Sequence, residues 1–261
     1  MRWVAPFIAL GALGCAHAIP LDREEVADSA AGPFVLRYAA ADADAARQVQ
    51  LAIERAAPRL ASWGHLRAPV TVLVEPSHDE LERAVDRRGF GWLRAWARYR
   101  QVWVQSPATW GILRSDQQDV DELLLHELTH CVMYQLAANE DDWSRKGIPL
   151  WFREGMASYT AKQGYRRGTL VQLAGWYRSH KEDPIADAEA LYQEQADVVY
   201  GAAHQAFTYL VDTHGVDAVQ RLLQAMQGGL TFDAAFQQAV GTSRRAFERQ
   251  FADYVRLARA P

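Results

Sequence analysis

The stretch that decides the fold is residues 119–136, DVDELLLHELTHCVMYQL, in which residues 126–130 read His-Glu-Leu-Thr-His. It contains neither proline nor glycine, and its apolar residues recur at helical spacing, so it predicts a helix. Side chains four positions apart share one face of a helix, and His126 and His130 can therefore bind one metal ion through ring nitrogens. Glu127 lies beside them, where a carboxylate can act on a water molecule at that metal.

A second segment, residues 149–157 with the sequence PLWFREGMA, supplies another carboxylate. A proline is favoured at the start of a helix, so Glu154 is expected in the second turn of a new helix. Zinc in a hydrolytic site keeps three protein ligands and one open position, and a His, His, Glu set is one of the recurrent versions. We therefore predict that His126, His130 and Glu154 bind Zn²⁺.

The two segments together resemble the gluzincins, the Peptidase MA-like zinc metallopeptidases whose third ligand is a Glu in a Trp-x-x-Glu-Gly-x-Ala segment, as at residues 151–157. The close resemblance covers about residues 119–162. It implies a metallopeptidase that hydrolyses peptide bonds with zinc-activated water and with Glu127 as the general base. Thermolysin-like relatives carry an Asp four residues after the third ligand, whereas this chain has Ser158 there.

Three further residues are expected to support the site. An oxyanion that develops during hydrolysis needs a donor besides the metal. The resemblance implies a Tyr or His on a later helix, which makes Tyr200 the first candidate and His204, one turn further on, the alternative. Glu122 precedes His126 by four residues on the same helix face, and we expect it to orient a metal ligand.

Two other functions are compatible with these residues. One is a non-catalytic cell-envelope binding or assembly protein that uses the same fold with a structural metal. The other is a zinc hydrolase that acts on a non-peptide substrate, since zinc-bound hydroxide attacks any suitably placed ester or amide. The complete ligand set together with Glu127 favours the peptidase, whose partner would be a peptide or protein substrate. No Gly-x-Met-x-Asn string, the amine-binding mark of aminopeptidase-type gluzincins, occurs in the chain.

Composition sets broad limits on the molecule. The chain has 261 residues, of which 49% are hydrophobic and 23% charged, which is enough for one sizeable core. A formal net charge of −4, with no dense Lys/Arg cluster, argues against nucleic acid as a partner. We predict a single Peptidase MA-like domain over residues 19–261, with a sheet lobe at about 33–106 and a helical lobe at about 116–259.

The N-terminus predicts export. Residues 1–18 combine an early Arg2 with an apolar run too short to span a bilayer, as in a signal peptide. Cleavage after Ala18 and lipidation of Cys15, which would end the signal at residue 14, are both compatible with the sequence. No later apolar run is long enough to cross a membrane, so we expect a bacterial periplasmic or cell-envelope protein, with or without a lipid anchor.

Strand patterns come early in the chain and helix patterns late. This order predicts an α+β fold, in which a small mixed β-sheet lobe packs on a mainly helical C-terminal lobe with a thermolysin-like metal site between them. Asp42 and Ser77 are expected to cap the first two helices, with Glu80 completing a capping box. The predicted strands are residues 33–38 and 70–74 with one or two more in 90–106; the predicted helices are 42–63, 77–87, 116–136, 149–162, 170–180, 196–214, 216–227, 231–239 and 243–258.

Overall fold

The computed structural model describes residues 19–111 and 116–258. The predicted signal peptide and Cys15 lie outside these residues. One sheet contains five strands, β1 (Arg23–Ser29), β2 (Gly32–Tyr38), β3 (Val70–Glu75), β4 (Ala95–Ala97) and β5 (Gln101–Gln105). The helices of the described ranges are α1 (Ala43–Ala61), α2 (His78–Val85), α3 (Gln117–Ala137), α4 (Leu150–Thr160), α5 (Leu170–Ser179), α6 (Ala188–Leu191), α7 (Ala196–His214), α8 (Val216–Gln227), α9 (Phe232–Val240) and α10 (Arg244–Leu257).

The sheet is mixed and has the order β1-β2-β3-β5-β4. Strands β2, β3 and β5 are parallel, while β1 and β4 are antiparallel to their neighbours at the two edges. Helix α1 connects the parallel pair β2 and β3, which confirms the predicted strand, helix, strand unit. The α+β fold with a sheet before a mainly helical part is likewise confirmed.

Helix α3 lies at the centre of the molecule. It contacts α1 and edge strand β4 on one side and α4 and α8 on the other, so most of its residues are buried all around. One hydrophobic core includes Val72 of the sheet, Leu128 of α3 and Phe207 of α7. The metal-binding motif therefore lies on the helix that joins the two lobes. Within the described ranges, no helix combines the length and the apolar character that crossing a bilayer would require.

Two details of the capping prediction were wrong. Asp42 does not cap α1 with its side chain, because a short 3-10 turn runs into the helix and the Asp42 carboxylate instead accepts the hydroxyl of Ser106 at 2.7 Å. Ser77 does cap α2, accepting the backbone N–H of Glu80 at 3.2 Å. The Glu80 carboxylate, however, pairs with Arg83 rather than reaching back to Ser77.

Gly155 makes the closest approach between α4 and its neighbours. A Cβ on Gly155 would overlap the carbonyl oxygen of Ala203 and lie 2.6 Å from Cβ of Phe207, both on α7. The glycine is therefore required by the contact of α4 with α7, which holds the helix that carries Glu154.

Replacement of this glycine tests the packing of α4. We expect Gly155→Ala to lower the free energy of unfolding of the metal-free protein by about 1–3 kcal/mol, because the added methyl group must displace backbone. Gly91→Ala is the matched control, since a Cβ there meets nothing within 4 Å. Chemical denaturation would measure both, and equal stability of the two variants would contradict the packing argument.

Glu75, at the end of β3, makes stability depend on pH. Its pKa is raised to about 7. Burial is the main cause, the charge of Glu80 acts in the same direction, and the charge of Arg83 opposes the shift. Since the folded state holds the proton more tightly, this residue's contribution to stability is complete below the unfolded pKa and is lost as pH rises towards 7. We expect the free energy of unfolding of the wild type to fall by roughly 1–3 kcal/mol between pH 5 and 8 because of this residue, and we expect Glu75→Gln to remove that fall. Denaturant titrations of both proteins, with exposed Glu54→Gln as control, check this; parallel pH profiles would refute it.

Candidate metal centre

Three predicted ligands from two helices meet at one point. His126 and His130 project from α3 and Glu154 from α4, and their ligand atoms all lie within 4.8 Å of one another. Nε2 of His126 is 3.4 Å from one carboxylate oxygen of Glu154, and Nε2 of His130 is 3.8 Å from the other. Both histidines are buried between the two lobes. The structure thus brings the three side chains together as the sequence predicts.

The spacing and protonation of this cluster fit zinc. Ligands at about 2.1 Å from a tetrahedral ion lie roughly 3.4 Å from one another, close to the 3.4 and 3.8 Å that separate Glu154 from the two histidines. Burial, with smaller contributions from the charges of His126 and Arg153, lowers the pKa of His130 to about 4, although Glu154 opposes the shift. His130 is therefore neutral near pH 7, and one of its ring nitrogens has a lone pair for a metal.

The third ligand is ionised. Burial alone would raise the pKa of Glu154, but the nearby histidines and Arg153 outweigh it and lower the pKa to about 2. Burial would likewise lower the pKa of His126, and the hydrogen bond to Glu154 together with the charge of Glu127 raises it instead. An ionised carboxylate and two imidazoles together form a donor set that suits a divalent cation.

Glu127 has the protonation behaviour of a group that exchanges protons near neutral pH. Burial raises its pKa to about 7, and the negative charge of Glu154 acts in the same direction. The charge of His126 and the backbone N–H of Ala97, on edge strand β4, lower it. Glu127 thus lies between the metal ligands and the free edge of the sheet, with a pKa that suits a general base.

Gln163, which the sequence analysis missed, contacts His126. It lies in the 3-10 turn Gln163–Arg166 after α4, and its Oε1 is 3.0 Å from Nδ1 of His126. Arg167 also donates to this Oε1, at 3.2 Å, and since a guanidinium can only donate, the atom must be the amide oxygen. His126 must then carry its proton on Nδ1, which leaves Nε2 free to bind metal.

Glu122 does not orient a ligand, so that expectation was wrong. Its two carboxylate oxygens accept the hydroxyl of Tyr165 at 2.7 and 2.8 Å, and one lies 3.2 Å from Arg166. Glu122 lies one helical turn before His126, next to the 3-10 turn that follows α4. Tyr165 and Arg166 of that turn contact its carboxylate. The residue that contacts His126, Gln163, begins the same turn.

Ser158 and His204 form a pair away from the ligands. The Ser158 hydroxyl is buried and lies 3.0 Å from Nδ1 of His204. The other ring nitrogen of His204 packs against Gly164, where a Cβ would come within 2.7 Å of it. Burial and the charge of Arg167 lower the pKa of His204, which keeps it neutral. The described contacts of His204 are therefore with Ser158 and Gly164 and not with the three predicted ligands.

Tyr200 lies on α7 with its hydroxyl 3.1 Å from the hydroxyl of Tyr192. The guanidinium of Arg167 is 5.0 Å from the centre of its ring. Burial raises the pKa of Tyr200, and the negative charge of Glu154 raises it further. The hydroxyl is therefore protonated and able to donate a hydrogen bond.

The fold and this centre define a class, α+β proteins with an HExxH helix and a glutamate ligand on the next helix. A family model for the Peptidase MA superfamily matches residues 109–257, more than half of the chain. The chain belongs to the Peptidase MA superfamily.

Solved structures show a distant likeness to this chain. One of them is the M1 zinc metallopeptidase of Deinococcus radiodurans, an E323A mutant bound to a Tyr-Ser-Ala substrate, with 14% sequence identity and a TM-score of 0.42. The match covers 92% of this chain and 53% of that one, so this chain spans about half the length of the M1 enzyme. A comparison with curated proteins gives no match.

Replacement of Gln163 tests whether it orients His126. We expect Gln163→Leu to weaken zinc binding roughly 10- to 100-fold, because His126 loses the acceptor that fixes its ring and tautomer. Gln163→Glu, which keeps an acceptor, is expected to retain wild-type affinity or better. Competition with a chelator of known affinity measures both. Wild-type zinc affinity in the Leu variant would show that Gln163 has no such role.

Proposed function

We propose that this protein is a zinc-dependent peptidase in which His126, His130 and Glu154 hold the metal. The observation that carries the proposal is the convergence of their ligand atoms within 4.8 Å beside Glu127, whose pKa is about 7. A structural zinc site would need no such group, whereas hydrolysis needs a base that releases its proton again.

Bound zinc would supply a Lewis acid for the scissile carbonyl and a water of lowered pKa. Glu127 takes the proton of the attacking water and later passes it to the leaving amine, a transfer that its pKa near neutrality suits. The protonated hydroxyl of Tyr200 donates to the oxyanion that develops on the carbonyl oxygen. Tyr192 holds that hydroxyl in place through their mutual contact.

Edge strand β4 is the proposed support for an extended substrate. Among the strands of the described residues it pairs with β5 alone, and the backbone N–H of Ala97 faces Glu127 on its other side. A peptide that adds to such an edge gains main-chain hydrogen bonds regardless of its side chains. Its scissile bond would then pass the carboxylate that activates water.

The proposal includes action outside the cytoplasm. It is supported by the charge and apolar pattern of residues 1–18, with cleavage after Ala18 or lipidation of Cys15 as the two routes.

The central test is Glu127→Gln. We expect it to reduce hydrolysis of a peptide library by at least 10²-fold while zinc content stays equal to wild type, because only the proton acceptor is lost. Tyr200→Phe is expected to lower kcat by roughly 10- to 10³-fold with a smaller change in KM. Glu54→Gln, an exposed carboxylate on α1, serves as the control.

Mass spectrometry of digests and metal analysis give the readouts. Equal cleavage by wild type and Glu127→Gln, or a purified protein that binds no zinc, would overturn the proposal. Zinc binding with no cleavage of any peptide would favour an envelope binding protein, and turnover of esters alone would favour a non-peptide hydrolase.

A further inference from the structure

Arg167 is a half-buried cation at the metal centre that the proposed mechanism does not use. One of its terminal nitrogens donates to Gln163, the glutamine that also contacts the ligand His126. Its guanidinium lies over the ring of Tyr200. Arg167 and the predicted ligand His126 thus contact the same amide oxygen, and Arg167 also contacts the ring of the proposed oxyanion donor.

The guanidinium has no carboxylate partner in the described parts of the chain. Its Nε is buried and donates to no acceptor there, and no acidic group lies within salt-bridge distance. Glu154 and Asp197 influence it only at longer range. A buried arginine usually pairs with an anion, because removing its charge from water is costly.

The neighbouring residue shows the contrast. Arg166 pairs with Asp119 at 2.7 Å and with Glu122 at 3.2 Å, so its charge is compensated within the fold. Arg153, the other arginine next to the ligands, is 3.5 Å from Glu189. Arg167 alone among these three is described without an acidic partner.

Open space adjoins this cation. Arg167 lines a cavity of about 490 Å³ together with Thr169, Gln172 and Asp197. A ligand in that space lies next to Arg167 and is within its reach. The fork of an arginine matches a carboxylate, which it binds through two parallel hydrogen bonds.

We propose that Arg167 binds a carboxylate of the substrate, so that the enzyme selects peptides with an anionic group near the cleaved bond. This inference rests on the proposed peptidase function. A peptide offers two sources of such a group, its C-terminus and the side chain of Asp or Glu, and both present the same chemistry to Arg167. The first source would make the protein a carboxypeptidase-like enzyme, and the second an acid-selective endopeptidase.

The kinetic test compares matched substrates. One pair is a peptide with a free C-terminal acid and its amide, and the other is an internal peptide with Glu or Gln near the cleaved bond. We expect wild type to prefer the acidic member of at least one pair by 10-fold or more in kcat/KM. Arg167→Gln should remove the preference and Arg167→Lys should keep part of it, since lysine retains the charge but not the fork. The ratio within a pair cancels any general loss of zinc or activity.

Arg166→Gln is the matched control, as it removes a positive charge lining the same cavity that already has acidic partners. We expect it to keep the preference for acidic substrates. An unchanged preference in Arg167→Gln, or equal loss in both variants, would overturn the assignment. The pair that shows the effect identifies whether the terminal or the side-chain carboxylate is bound.

A binding measurement separates this inference from the proposed function. The metal-free protein is titrated calorimetrically with the acid and amide forms of one N-acetylated peptide, so that a metal cannot bind the carboxylate. Tighter binding of the acid by about 10-fold, lost in Arg167→Gln, supports the role of Arg167 even if no peptide is cleaved. Equal binding of acid and amide by wild type would refute it, whatever the zinc-loaded protein hydrolyses.

Discussion

The ionised carboxylate of Glu154 between two buried imidazoles is the interaction on which the rest of the structure depends. A lone buried carboxylate is strongly unfavourable, and this one is stabilised by its hydrogen bond with His126 and by the positive charges of His126 and Arg153. The pairing requires α3 and α4 to meet at a fixed separation. Helix α4 is in turn held by its contact with α7, which packs closely against α4 because Gly155 has no side chain. The geometry of the metal centre therefore depends on the packing of α3, α4 and α7 against one another.

The same environment gives two neighbouring carboxylates opposite properties. Glu154 faces cationic and neutral nitrogen groups, and its pKa falls to about 2. Glu127 is just as buried but has only weaker compensation from His126 and Ala97, and Glu154 repels its charge, so its pKa rises to about 7. One residue type is thus ionised at position 154 and titrates near neutral pH at position 127, because the neighbouring groups differ.

The features that could be predicted from the sequence are those that depend on residues close together in the chain. The HExxH helix, the third ligand and the strand, helix, strand unit each leave a periodic or spaced signal within one or two segments. Strand β1 left none, because it is an edge strand exposed on both faces and its residues Arg23–Ser29 do not alternate apolar with polar. The error on Glu122 has a similar origin. Helical spacing placed it correctly on the face of His126, but the turn holding Tyr165 and Arg166, whose position is set by tertiary packing, binds it first.

Gln163 contacts the predicted ligand His126, whereas Ser158 contacts His204. The amide oxygen of Gln163 orients His126 as a carboxylate would, but it adds no negative charge. A neutral partner makes the imidazole a weaker electron donor than a carboxylate partner does, which leaves a bound metal more electrophilic. It also leaves Arg167 uncompensated, since a carboxylate at Gln163 would have paired with that guanidinium. An amide rather than a carboxylate at position 163 therefore leaves the charge of Arg167 available to an anionic group in the cavity that this arginine lines.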